Sequence, residues 1–234
     1  MTLPATYSEI DSVYRATFGA ALRVVAVTAA GPGHGASTLA LGLARRAAAG
    51  GKAALLVELT TRGSAVVERF GLDRRDWGAD PEDAAAAMVD LGGGLAALPA
   101  PSLGRPPPLL REVDALKALR EAWLTQFELV VIDLPPVLST NPHEIDPITA
   151  GGVSDGVVLS VMTRVTRESE LIEATDQLRH AGIDLLGIVA NDRENPTLGD
   201  EIAREVGRFS RIAPGAIRRL QRWVLSRRSL GRRL

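Results

Sequence analysis

A glycine-rich segment in the first quarter of the chain combines the residue types that bind a phosphate group. Residues 24–38 read Val-Val-Ala-Val-Thr-Ala-Ala-Gly-Pro-Gly-His-Gly-Ala-Ser-Thr, an apolar run followed by a glycine-rich loop and a helical pattern. Glycines let successive backbone N–H groups converge on a phosphate, and the N-terminus of the following helix adds partial positive charge. The residues of this predicted nucleotide site include Gly33, Gly35, Ser37 and Thr38. A plain glycine-rich turn between strand and helix is the alternative interpretation.

The loop lacks the lysine that a working phosphate loop carries directly before its Ser or Thr to neutralise the phosphates. Ala36 occupies that position, and an unperturbed His34 is mostly neutral at pH 7. Ser37 supplies a hydroxyl for Mg²⁺, and Asp133, at the end of the apolar run 129–133, supplies a carboxylate. We predict that these two residues form a vestigial metal site, unless Asp133 only caps the next loop. Weak binding of ATP or ADP with Mg²⁺ and no binding are equally compatible with these residues.

Apolar runs alternate along the chain with stretches of helical spacing, as expected for βα units. Strands are predicted at 22–28, 53–59, 95–98, 129–133, 156–162 and 185–191, and helices at 37–49, 81–89, 113–127 and 167–181. Most of the predicted strands show no polar alternation, which is typical of strands covered on both faces. The pattern predicts an α/β fold: a parallel sheet with helices on both faces and right-handed crossovers. The proline-rich stretch 99–108 is predicted to be a loop, either a surface connection or a lid.

Composition narrows the class of protein. A chain of 234 residues fits one α/β domain, and the absence of cysteine excludes disulfides and thiolate metal sites. Residues 1–10 contain no apolar run of the kind found in a signal peptide. No uncharged apolar stretch approaches the length of about 18 residues that a membrane span requires. These features predict a soluble, cytoplasmic protein.

Arginines are concentrated at the C-terminal end of the sequence. Residues 206–234 contain nine arginines and no acidic residue, and since the whole chain carries −1, the rest carries about −10. Ile217, Leu220 and Val224 fall on one helical face among these arginines. We therefore predict a domain over 1–213 and a basic amphipathic tail over 214–234. The tail either binds an anionic membrane surface or a protein partner, or lies against the acidic domain or in solvent. We predict no nucleic-acid binding.

Six segments resemble the cytoplasmic bacterial tyrosine kinases that act with polysaccharide co-polymerases, a family within the MinD/ParA-like P-loop group. They are 27–38, 55–62, 70–72, 127–136, 154–157 and 186–191. The resemblance implies a P-loop NTPase-like fold, with Ser37 and Asp133 in the two Walker motifs and Asn191 in the nucleotide site. It also implies a role in exopolysaccharide or capsule synthesis. The expected partners are cytoplasmic segments of a co-polymerase or another export protein, and an oligomer is compatible with the family.

The sequence departs from the family pattern at the positions where the family carries its chemistry. Ala36 replaces the catalytic lysine, and Thr60 replaces the aspartate implied to be the catalytic base. The C-terminal tyrosine cluster is absent, since the chain's two tyrosines are Tyr7 and Tyr14. Of the three charged residues that the family's opening helix uses for ring assembly, only Arg15 is present.

These departures predict a non-catalytic, pseudokinase-like regulatory or scaffolding protein, peripheral to the inner membrane. The alternative is a divergent ATPase or tyrosine autokinase that uses an unusual lysine. Lys52 is expected at the edge of the sheet away from the phosphate loop, whereas Lys117 stays open as a candidate.

Overall fold

The computed structural model describes residues 8–60, 70–72, 75–101, 108–139, 141 and 144–192. Its strands are β1 (Val24–Ala29), β2 (Ala54–Glu58), β3 (Val89–Gly92), β4 (Leu95–Leu98), β5 (Leu129–Asp133), β6 (Gly156–Met162) and β7 (Leu185–Asn191). Its α-helices are α1 (Ser8–Thr17), α2 (Ala36–Ala49), α3 (Pro81–Ala87), α4 (Val113–Gln126), α5 (Pro147–Gly151) and α6 (Glu168–His180). Short 3₁₀ helices at Phe18–Ala20 and Pro108–Arg111 complete the described elements.

The strands form one sheet in the order β3-β4-β2-β5-β1-β6-β7. β1 pairs in parallel with β5 on one side and β6 on the other, and β2 pairs in parallel with β4 and β5. The connection from β1 to α2 therefore leaves the carboxyl edge of the sheet beside the end of β5. In parallel α/β sheets, ligands bind at this edge where the strand order reverses. The prediction of an α/β fold with a mostly parallel sheet is confirmed.

The two faces of the sheet carry separate hydrophobic clusters, which explains why the strands are apolar without alternation. In β1, Val24 and Ala26 pack into one cluster, while Val25 and Val27 pack into the other. Helices α1 and α2 cover the second face, and α4 covers the first with Leu116, Leu119 and Trp123. A strand buried on both faces has no position for a polar side chain except at its ends. The polar side chains of the candidate site therefore lie toward the carboxyl ends of the strands and in the loop after β1.

One part of the sheet differs from the prediction. The sequence pattern predicted a helix over 81–89, but α3 ends at Ala87 and Val89–Gly92 forms a strand that pairs antiparallel with β4. Three consecutive glycines, 92–94, have φ values of 80°, 64° and 83°, a left-handed conformation that reverses the chain. The helical spacing of the alanines obscured this hairpin in the sequence.

The chain divides into two compact units, Met1–Val161 with Thr166–Val189, and Met162–Val165 with Ala190–Leu234. The sheet edge and loop that bear the candidate site belong to the first unit. Within the parts of the chain that the structure describes, no helix has the length and apolarity that a bilayer crossing needs. The tail at 214–234, the domain boundary at 213 and Tyr7 lie outside the described residues, as does most of the proline-rich loop.

Candidate functional site

The loop between β1 and α2 has the backbone shape that binds anions. Gly33 and Gly35 have φ values of 78° and 94°, and Gly35 is the residue that precedes the first turn of α2. Left-handed glycines in succession turn N–H groups toward a common point, to which the first amides of the helix add their partial charge. Ser37 and Thr38 lie in that first turn. The loop can thus cradle a phosphate with backbone groups, although nucleotide binding to these four residues stays a prediction.

Two carboxylates lie side by side at the carboxyl edge of the sheet. Asp133 ends β5 and faces Glu58, the last residue of β2, in the strand register. Both side chains are buried. Neither oxygen of the Asp133 carboxylate has a partner of regular hydrogen-bond geometry among the described residues. The pKa of Asp133 is raised to about 8, chiefly by burial; the Ser37 hydroxyl opposes this rise, and the Glu58 charge contributes to it.

An unpartnered buried carboxylate is costly unless a cation or a proton neutralises it. Ser37 and Asp133 come together here, and their oxygens are of the type that Mg²⁺ prefers. Within the described ranges, no three His, Asp or Glu side chains are grouped as metal ligands, so phosphate and water oxygens would complete the coordination. The residues therefore fit a Mg²⁺ that accompanies a phosphate. A bound Mg²⁺ would supply neutralisation of phosphate charge.

The lysine that a working phosphate loop carries before its Ser or Thr is replaced by Ala36 in this loop. Ala36 is the first residue of α2, and Thr60 lies buried just beyond β2. Lys52 forms an ion pair with Glu128, 2.6 Å between Nζ and Oε2, at the start of β2 and thus away from the loop. Lys117 is exposed on α4, the helix that covers the face of the sheet opposite α2. Of the two lysines, Lys52 is excluded from the loop, as expected.

His34 is a part of the loop whose position the sequence did not reveal. The residue is buried, with 7% of its surface exposed, and the Gly31 N–H donates a hydrogen bond to Nδ1 over 3.1 Å. The Thr166 hydroxyl lies 3.1 Å from the same nitrogen, and the Ser160 hydroxyl donates to the His34 carbonyl over 2.8 Å. Burial lowers the pKa of His34, an effect that the Glu170 charge partly offsets. The imidazole is thus kept neutral and adds no charge to the loop.

Asn191, the remaining predicted nucleotide contact, ends β7 and belongs to the second unit. Its backbone carbonyl accepts hydrogen bonds from the Thr163 N–H over 3.1 Å and from the Thr163 hydroxyl over 3.3 Å. The same hydroxyl also donates to Asp192 over 2.7 Å. A role of Asn191 in nucleotide binding stays a prediction.

Comparison with known proteins identifies the relatives of this chain. No family model matches the chain. The chain is 29% identical over 199 residues to the putative tyrosine-protein kinase EpsB of Ralstonia nicotianae. It is 27% identical over 180 residues to the tyrosine-protein kinase YwqD of Bacillus subtilis, covering 74% of this chain and 73% of YwqD. It is 25% identical over 181 residues to the tyrosine-protein kinase CpsD of Streptococcus pneumoniae, covering 74% of this chain and 77% of CpsD. The homologues of this chain are bacterial tyrosine-protein kinases.

The extent of these matches differs among the kinase homologues. The EpsB match covers 82% of this chain but only 26% of EpsB, so the chain spans about a quarter of that protein. Among solved structures, the chimerical protein CapA2B2 superposes with a TM-score of 0.67 at 23% identity, covering 78% of this chain and 82% of that one. The VpsO kinase domain superposes with a TM-score of 0.65 at 25% identity, covering 80% of this chain and 92% of the VpsO chain. The septum site-determining protein MinD of Pyrococcus horikoshii was solved with Mg-ADP. It superposes with a TM-score of 0.57 at 16% identity, covering 73% of this chain and 70% of the MinD chain.

Proposed function

We propose that this protein is a non-catalytic, pseudokinase-like regulator or scaffold in bacterial exopolysaccharide or capsule synthesis and export. The observation that carries the proposal is Ala36 in a loop that otherwise keeps its anion-binding backbone, with Gly33 and Gly35 left-handed. Phosphoryl transfer depends on positioning and on charge neutralisation. A loop that keeps the positioning backbone but lacks the neutralising charge suits ligand or partner binding better than catalytic turnover.

The rate contributions expected of the replaced catalytic residues support a non-catalytic role. Removal of one donor that stabilises transition-state charge costs about 10²–10³ in rate. Here Ala36 replaces the lysine, Thr60 replaces the base, and the two tyrosines of the chain are Tyr7 and Tyr14. Residues that act as a unit fail together, so a partial set gives little residual catalysis.

The proposed partners are cytoplasmic segments of a membrane polysaccharide co-polymerase or of another export protein. The tail at 214–234 carries seven arginines and no acidic residue, which suits an anionic membrane surface or an acidic partner segment. On this proposal the protein is cytoplasmic and peripheral at the inner membrane. The names of the kinase homologues and the family resemblance support this context.

A second candidate function, a divergent ATPase or autokinase that binds ATP or ADP with Mg²⁺, is favoured by one specific observation. The buried carboxylate of Asp133 has no hydrogen-bond partner of regular geometry in the described part of the chain. A cation at this point would relieve that cost. Nucleotide binding is compatible with both candidates, so the two differ in whether turnover follows binding.

Genetic complementation separates the two candidates. The gene is deleted in the source bacterium, and surface polysaccharide is measured after complementation with the wild-type protein or with Asp133→Asn. A regulator or scaffold that needs no bound nucleotide predicts that Asp133→Asn restores polysaccharide to within about twofold of wild type at equal protein level, because neither a chemical step nor Mg²⁺ binding is needed. A loss comparable to that of the deletion strain would instead favour the enzyme. A variant without residues 214–234, which removes the proposed contact with the membrane or the partner, is the matched comparison.

A further inference from the structure

The His34 side chain connects two segments that are far apart in the sequence. Its Nδ1 accepts the Gly31 N–H at the start of the phosphate loop and lies 3.1 Å from the hydroxyl of Thr166, the residue two positions before α6. Its carbonyl accepts the hydroxyl of Ser160 in β6. One loop residue therefore has polar contacts through both its main chain and its ring. These contacts lie within the unit that contains the sheet.

The room for the imidazole depends on the residue at position 31. A Cβ atom built at Gly31 would lie 2.9 Å from Cε1 and 3.2 Å from Nε2 of His34. Contacts below 3.0 Å are not tolerated between real side chains, so any larger residue at 31 would displace the ring. Because Gly31 has no side chain, the His34 ring can pack directly against the backbone of residue 31.

We propose that His34 is a positioning residue that holds the loop in its phosphate-binding shape before any ligand arrives. The proposal rests on the proposed phosphate site and assigns it a supporting side chain. A loop with two left-handed glycines, Gly33 and Gly35, has high conformational entropy, and ordering it on binding weakens affinity. Since Ala36 offers no charge to attract the phosphate, the affinity depends more strongly on preorganisation of the loop amides. His34 provides it through the hydrogen bond that its ring accepts from the Gly31 N–H.

The geometry also defines the tautomer of the ring. A backbone N–H can only donate, so Nδ1 carries no proton when it accepts from Gly31, and the proton of the neutral ring lies on Nε2. The carboxamide oxygen of asparagine is two bonds from Cβ, as Nδ1 of histidine is. His34→Asn therefore keeps the acceptor, while His34→Leu keeps a comparable volume and removes it.

The first experiment is calorimetric titration of MgADP into the full-length wild-type protein, His34→Asn and His34→Leu, after melting curves confirm that each is folded at the working temperature. We expect the affinity of His34→Leu to fall about tenfold and that of His34→Asn to stay within about threefold of wild type, the difference being one hydrogen bond. Equal affinities in all three proteins would overturn the proposal. Equal losses in both variants would also overturn it, because they would assign the effect to packing.

The second experiment needs no ligand, so it separates failure of this proposal from failure of the nucleotide site. In ¹⁵N NMR spectra of the ligand-free protein we expect the Nε2–H tautomer for His34, with the signal assigned by its loss in His34→Asn. Hydrogen exchange of the Gly31 amide should speed up at least tenfold in His34→Leu and stay near wild type in His34→Asn. If wild type does not bind MgADP but these signatures appear, the nucleotide site fails and the positioning contact stands. An Nδ1–H tautomer, or unchanged exchange in His34→Leu, would overturn the proposal.

Gly31→Ala tests the same contact from the other side. Alone it should lower the MgADP affinity and speed amide exchange at residue 31 as His34→Leu does, because the new methyl displaces the ring. Combined with His34→Leu it should add less than about a further twofold change, as expected for two substitutions that break one interaction. Fully additive effects would contradict a shared contact.

Discussion

Position 36 lies where the loop passes into α2, beside the amides that would face a phosphate. Ala36→Lys should raise the affinity for MgADP by about 10- to 100-fold, because hydrogen bonds to charged groups contribute about 1.5–3 kcal/mol and the backbone around the site is already shaped. Turnover should stay near background, since Thr60 still occupies the place of the base. Calorimetric titration and a phosphate-release assay measure the two effects.

Ala36→Met is the control for this charge, because it extends a chain of similar length without a positive end. We expect Ala36→Met to bind MgADP no better than wild type. Equal affinities for wild type and Ala36→Lys would mean that the loop amides do not face a phosphate, and the site as described would be wrong.

The buried Asp133 carboxyl makes a prediction about pH. Its pKa is about 8 in the folded protein and 3.8 in its ordinary state, so between these pH values the folded state binds more protons than the unfolded state. The free energy of unfolding should therefore fall as pH rises from 4 to 8, and the carboxyl's stabilising contribution is complete only below about pH 4. Asp133→Asn, which is neutral throughout, should be more stable than wild type at pH 8 by over about 1 kcal/mol.

Urea denaturation of both proteins in EDTA at several pH values between 5 and 8.5 measures this effect. The difference between the two profiles isolates Asp133 from the other titrating groups. Added Mg²⁺ should narrow the difference at pH 8, since a cation would neutralise the wild-type carboxylate. Parallel profiles across the whole range would contradict a raised pKa at this residue.

At the scale of single elements, β6 and β7 provide a test of packing. A Cβ atom on Gly156 in β6 would lie 2.6 Å from Cδ2 of Leu186, whereas one on Gly187 in β7 would meet no atom within 4 Å. Gly156→Ala should therefore destabilise the protein by about 1–3 kcal/mol, as overpacked core positions do. Gly187→Ala, the matched control, should be within about 0.5 kcal/mol of wild type. Equal effects in urea denaturation would contradict the close approach of Leu186 to β6.

The elements also show which features a sequence can predict. The strands that bear the site were predictable because uninterrupted apolar runs such as 129–133 have a single interpretation in an α/β chain. The hairpin of β3 and β4 was not predicted, because four residues after an alanine-rich helix give no periodicity of their own. Ser37 and Asp133 were found from local motifs. The contact of His34 with Thr166 joins residues 132 positions apart, and no local pattern encodes it.

At the scale of the whole molecule, the arginine-rich tail makes a prediction about membranes. Removal of 214–234 spares every described strand, so we expect the truncated protein to stay folded, with its melting temperature changed by less than about 4 °C. The full-length protein should sediment with vesicles of phosphatidylglycerol at low salt and be released as salt rises, because each arginine contributes about 1 kcal/mol near an anionic surface.

Vesicles of phosphatidylcholine are the control for this measurement, and neither protein should sediment with them. Unfolding of the truncated protein would show that the tail is part of the folded core. If the full-length protein ignores both vesicle types while the truncation stays folded, the arginines face a protein partner instead, and co-polymerase cytoplasmic segments are the first to test.

The proposed function combines a kinase-like fold with the loss of phosphoryl chemistry, and ATP turnover by the purified protein tests this combination. Purified full-length protein is incubated with MgATP, and phosphate release and tyrosine phosphorylation are followed, with CpsD as the active comparison and Asp133→Asn as the background. We expect wild type and Asp133→Asn to give the same rate, at least about 10³-fold below that of CpsD. Steady ATP turnover or tyrosine phosphorylation by wild type that disappears in Asp133→Asn would contradict it.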